Sequence, residues 1–63
     1  MENLVIHIIK GVYGNIPIID STFKLNSSVT LINGVASAYV DATAVFGVDA
    51  TNIKVTLKEY REL

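Results

Sequence analysis

Apolar and polar positions change their period twice along this chain. From Asn3 to Lys10 (NLVIHIIK) β-branched and apolar residues run almost unbroken, the pattern of a strand buried on both faces. Leu4, Ile6 and Ile8 point to one side of it, and Val5, His7 and Ile9 to the other. Gly11-Val12-Tyr13-Gly14-Asn15 supplies turn residues. Ile16–Leu25 then reads as a second strand, and Pro17, which cannot donate to a ladder, places it at a sheet edge. Alternation returns at Asn52–Tyr60 (NIKVTLKEY), where Ile53, Val55 and Leu57 interleave with Lys54, Thr56 and Lys58. That is the pattern of a half-buried edge strand whose lysines discourage further pairing. Arg61-Glu62-Leu63 reads as a tail that frays.

Between these strands lies Asn26–Gly47 (NSSVTLINGVASAYVDATAVFG), the longest segment with helical periodicity. Val29, Ile32, Ala36, Tyr39, Thr43 and Phe46 recur at spacings of three and four and would form one helical stripe. Ser27 or Ser28 would serve as N-cap, and Gly47 would close the C-terminus in a left-handed conformation. Leu31, Val35, Ala38, Ala42 and Val45 would line a second apolar strip, leaving Asp41 as the one charge between Val29 and Phe46. The rival reading is a hairpin: Asn33-Gly34 is a strong two-residue turn signal, with Val29–Ile32 and Val35–Val40 as paired strands. Ala36, Ala38, Ala42 and Ala44 favour the helix over the strand, and a glycine inside a helix costs only about 1 kcal/mol relative to alanine.

The helical reading predicts a single α+β domain spanning 1–63, in the order β-β-α-β. Its mixed, largely antiparallel three-stranded sheet has the order 2-1-3, with the helix on one face. The hairpin at Asn33-Gly34 would instead give an all-β chain. In the α+β arrangement nothing covers the second face of the sheet, where Val5, His7 and Ile9 would stand exposed. Bare apolar sheet of this kind marks an interaction surface. The predicted interface residues are Val5, His7 and Ile9, joined by Leu31, Val35 and Val45 from the second helical strip.

Composition supports that expectation. The chain has 63 residues, of which 51% are hydrophobic and only 17% charged. A core this small is marginal alone, so hiding that much apolar surface calls for a homo-oligomer or a protein partner. The net charge of −1 gives no electrostatic footprint for nucleic acid, and no apolar run approaches the ~20 residues of a membrane-spanning helix. With Glu2 in place of a basic leader, a secretory signal is not expected, and the predicted location is cytoplasmic. Asn26-Ser27-Ser28 matches a glycosylation sequon but reads as a cap in that setting.

Candidate chemistry is sparse. There is no cysteine and a single histidine, so no thiolate metal site or histidine cluster is expected. His7 is the one imidazole suited to acid–base work, and Asp20 or Glu59 could reach it only through the fold. Asp20 and Asp49 read as turn residues, and Tyr13, Tyr39 and Tyr60 as packing residues. Gly11-x-x-Gly14 lacks the helix a phosphate cradle needs. Val40-Asp41-Ala42-Thr43 recurs as Val48-Asp49-Ala50-Thr51 without establishing a repeat. No residue is assigned a catalytic, cofactor-binding or metal-ligating role.

Two family resemblances accompany these readings. Ile6-His7-Ile8-Ile9-Lys10-Gly11, Thr30-Leu31-Ile32 with Val35-Ala36, and Val48–Tyr60 resemble the first strand, helix and second strand of the small 4-oxalocrotonate-type tautomerases. That resemblance implies proton transfer by an N-terminal proline in a β-α-β oligomer. Met1-Glu2 offers no such proline, and Val12–Leu25 has no place in the pattern. Over most of its length the chain also resembles a family of similarly small Firmicutes proteins of unknown function. The shared features are an apolar first strand, a glycine-bearing hairpin before Ile16-Pro17-Ile18, a Thr22-Phe23 strand end, an alanine-rich helix and a closing Glu62-Leu63. The expected function is a non-enzymatic, self-associating structural or protein-binding module. The alternatives are a small inhibitor of phage or mobile-element type that docks on a host protein, and a tautomerase-like enzyme.

Overall fold

Asn33 and Gly34 hold φ values of 53° and 78°, the pair of left-handed conformations that a type I′ turn requires. That turn decides the architecture. The computed structural model describes residues 4–63, with β1 (Val5–Tyr13), β2 (Ile16–Leu25), β3 (Thr30–Ile32), β4 (Val35–Asp41), α1 (Thr43–Phe46) and β5 (Ile53–Glu62). The strands form one antiparallel sheet in the order β2-β1-β5-β4-β3. Asn3, expected at the start of the first strand, lies outside the described residues.

The expected α+β, β-β-α-β fold with a three-stranded 2-1-3 sheet is therefore overturned. Asn26–Gly47 is not one helix: it is a loop, the β3–β4 hairpin and the four-residue α1. Thr30 pairs with Ser37, Leu31 with Ala36 and Ile32 with Val35 across the Asn33-Gly34 turn. Three of the four alanines that argued for a helix, Ala36, Ala38 and Ala42, are buried at strand spacing with Val40, each no more than 7% exposed; Ala44 alone is helical, exposed on α1. Their partners on β5 are Leu57 for Ala36, Val55 for Ala38 and Ile53 for Val40. Small side chains are what β4 needs where it packs against larger ones from other strands. Ser27 caps no helix; its Oγ accepts the Tyr39 N–H at 2.9 Å.

The other boundaries move for similar reasons. Gly11, Val12 and Tyr13 belong to β1, and only Gly14-Asn15 form the turn, with Gly14 at φ 63°. Gly11 crosses β5 closely: a Cβ there would lie 2.7 Å from the Thr56 carbonyl oxygen. β5 is no edge strand, since it runs between β1 and β4. Nor does the C-terminal tail hang free. Arg61 pairs with His7 and Glu62 with Ile6, and the Leu63 N–H donates to the Val5 carbonyl at 2.8 Å.

The sheet covers itself, which removes the need for a helix across one face. Lys24 and Leu25 at the end of β2 pair with Asp41 and Val40 on β4, closing β1, β2, β4 and β5 into a ring. The exchange of partners occurs within one residue: the Leu25 N–H donates to the Leu4 carbonyl at 2.9 Å and the Asn26 N–H to the Tyr39 carbonyl at 2.8 Å. Ile6, Ile8, Val40 and Val55 fill the interior, joined by Ile18, Phe23, Leu25, Ile53 and Leu57.

Three strands turn together to make this curvature. β1 buries Ile6 and Ile8 and then Gly11; β2 buries Ile18 and then Phe23; β5 buries Leu57 and then half-buries Tyr60. Alternation breaks at one level in all three. There the β1–β5 register shifts on both sides of Lys10, and Asp20 takes φ 49°. Such irregularities bend a strand and re-aim its side chains.

One end of the ring is covered by α1 and the 3-10 turn Val48–Ala50. The two alanines of the repeated Val-Asp-Ala-Thr sequence meet there, the Ala42 N–H donating to the Ala50 carbonyl at 2.8 Å. The Phe46 ring sits 5.6 Å from that of Tyr13. Asp41 Oδ1 accepts from the Thr43 N–H at 3.1 Å and from its hydroxyl at 2.8 Å. These bonds, with the charge of Lys24 nearby, hold the Asp41 carboxyl below the usual carboxylate range. Among the described residues no helix is long and apolar enough to cross a membrane.

Candidate interaction surface

The two outer strands of this sheet are finished very differently. β2 carries Pro17, the strained Asp20 and Lys24, and its last residues are consumed in pairing with β4. Proline, charge and irregular backbone are the usual means of blunting a sheet edge. β3 has none of these. From Asn26 to Val40 there is no Asp, Glu, Lys, Arg or His, and among the described residues β3 pairs on one side only.

The hairpin also concentrates exposed apolar surface. Leu31 is 70% exposed, Ile32 60% and Val35 50%. Leu31 shares its sheet face with Ala36 and Leu57, its partners across β4 and β5, but it projects past the point where the ring closes. Ile32 and Val35, paired beside the turn, stand on the opposite face. These three residues form a short apolar tip on both faces of a strand with an open edge.

Of the six predicted interface residues, Leu31 and Val35 lie on this hairpin. Val45 is exposed on α1, and Val5, His7 and Ile9 are half-buried on the outer face of β1. β5 and β4 separate β1 from β3 in the sheet, so the six residues are not one patch. A helical period sets Leu31 and Val35 on the second apolar strip and Ile32 on the other stripe, outside the predicted interface. The hairpin rule for Asn33-Gly34 was the signal that would have put Ile32 outside.

His7 does meet a carboxylate. Its Nε2 lies 2.6 Å from Asp20 Oδ1, with the two side chains 33% and 77% exposed. Thr22 and Arg61 flank His7 from β2 and β5, while Glu59 pairs with Lys10 instead. Hairpin pairing brings residues 7 and 20 together, and the left-handed Asp20 backbone belongs to the same kink that bends β1 and β2. With Asp20 exposed, this is a surface contact of the kind worth about 0–1 kcal/mol.

Two shallow depressions flank the loop before β3. One, of about 220 Å³, is lined by Ser27, Ser28, Thr30, Ser37, Tyr39 and Lys54; the other, of about 240 Å³, by Leu4, Leu25 and Asn26 with the same two serines. Both fall below the roughly 300–1,000 Å³ of small-molecule sites. Among the described residues no three His, Asp or Glu side chains gather as metal ligands would.

No family model, curated protein or solved structure matches the chain. Thr30-Leu31-Ile32 and Val35-Ala36, which the tautomerase resemblance places in a helix, form the β3–β4 hairpin.

Proposed function

We propose that this chain is a non-enzymatic binding module that associates with other copies of itself through apolar surface on the β3–β4 hairpin. The observation that carries the reading is the contrast between its two sheet edges. One is protected by proline, charge and pairing; the other is uncharged, apolar and open. An edge left in that state presents unpaired N–H and C=O groups to another strand, and Leu31, Ile32 and Val35 supply apolar area beside them. The high apolar content of so short a chain supports the same reading.

The test is the mass in solution, by light scattering and sedimentation, across a hundredfold concentration range reaching high micromolar. Mass above that of the single chain, rising with concentration to a plateau, is the expected result. A monodisperse monomer throughout would refute the reading.

A further inference from the structure

We infer that the association proposed above, on which this inference rests, is a two-fold antiparallel pairing of β3 with β3 of a second copy, centred on Leu31. The argument begins at the turn. Ile32 and Val35 close a two-residue loop, and residues in that position exchange both backbone hydrogen bonds with each other. Hydrogen-bonding direction alternates along a strand. The N–H and C=O of Thr30 and Ile32 therefore point at β4, and those of Leu31 point away from it. The free edge of this three-residue strand thus presents one donor and one acceptor, both at its middle residue.

That arrangement is self-complementary. Across a two-fold axis beside Leu31, each Leu31 N–H meets the Leu31 carbonyl of the other copy, and the register then sets Thr30 opposite Ile32 of its mate. The two leucine side chains become cross-strand neighbours on one face of the joined sheet.

Composition argues for a second copy as the occupant. In a two-fold contact every residue near the axis lies close to its own counterpart, so any charge there opposes itself. A different protein would impose no such rule and could exploit a charge. Residues 26–40 contain none of either sign. Because the contact consumes the β3 edge, the one open edge among the described residues, and the β2 edge is protected, assembly stops at two chains and does not continue into a filament.

The experiment uses two charge variants, Leu31→Lys and Leu31→Glu, with the wild-type chain as reference. Leu31 is 70% exposed, so neither change disturbs the core, which circular dichroism verifies. By sedimentation each variant alone should associate about tenfold or more weakly than wild type, since like charges face each other. An equimolar mixture of the two should recover association, because lysine then faces glutamate. A wild-type chain that stays monomeric would remove both this inference and the function proposed above. Wild-type-like association of the single variants would show that another surface mediates assembly and would overturn only the β3 pairing. Weak association of the variants with no recovery in the mixture would overturn the two-fold register.

Discussion

Gly34→Ala discriminates between the hairpin and the helix because the two structures give it opposite signs. In the hairpin Gly34 has φ 78°, and a Cβ built there meets no atom within 4 Å. The whole effect is therefore in the backbone. Placing an L-residue in the left-handed region costs roughly 1–2 kcal/mol. The stiffer unfolded chain of the alanine variant offsets about 0.4–1 kcal/mol of that, leaving a net destabilisation of about 0–1.6 kcal/mol. In the interior of a helix the same change would stabilise by about 1 kcal/mol. For a domain of this size 1 kcal/mol corresponds to roughly 4–8 °C in Tm, so the two outcomes are well separated. Thermal and urea unfolding followed by circular dichroism measures both quantities. Gly34→Asn should fall between wild type and Gly34→Ala, since asparagine tolerates the left-handed region better. A Tm for Gly34→Ala several degrees above wild type would refute the type I′ turn and, with it, the sheet order.

Two further predictions probe the ring. Gly11→Ala drives a methyl group to 2.7 Å from the Thr56 carbonyl oxygen and 2.9 Å from Ile8 Cγ2; overpacking of this kind should cost about 1–3 kcal/mol, and an unchanged urea midpoint would mean that β1 and β5 cross less closely. Asp41 has its folded pKa lowered by Thr43 and Lys24, so its contribution is fully present above the unfolded carboxylate value of about 3.9 and is lost as pH falls through the folded pKa. Asp41→Asn should therefore flatten the fall in Tm below about pH 4, and an acid limb identical to wild type would show that Asp41 does not take part.

Much of this fold was legible locally and misread globally. β2 spans Ile16–Leu25 as the pattern indicated, and the alternating Ile53, Val55 and Leu57 are indeed buried. The failure was at Asn26–Gly47, where Ile32, Ala36 and Tyr39 fit a helical period while Ala36, Ala38, Val40 and Ala42 fit a strand period equally well. Alanine satisfies both, so propensity outweighed the Asn33-Gly34 turn, which was the more specific signal. Once that segment is a hairpin, the ring follows only from long-range pairing such as Lys24 with Asp41, which no local period encodes. The same holds for the candidate surface. Leu31 and Val35 were visible as apolar residues without a buried role in the expected fold, but their place beside an open edge depends on which strand ends the sheet. His7 and Asp20 meet because Gly14-Asn15 sets the β1–β2 register, a consequence of turn placement that the strand pattern alone leaves free.

The position of β5 has a consequence for how the protein is made. It follows the other four strands among the described residues, yet it lies between β1 and β4 in the sheet. During synthesis, at about 5–20 residues per second, the β1–β2 and β3–β4 hairpins can form as soon as their turns emerge. Each then waits with a long unpaired side, including the edge of β1 that carries the Ile6–Val12 ladder with β5. Pairing across nearly the whole chain is slow to nucleate, so the nascent protein passes through a stage with more open edges than the finished one. β5 is therefore a keystone in time as well as in space: release or cleavage before Ile53 leaves two hairpins held by the short pairing of Lys24 and Leu25 with Asp41 and Val40, and chaperone demand should peak in that interval.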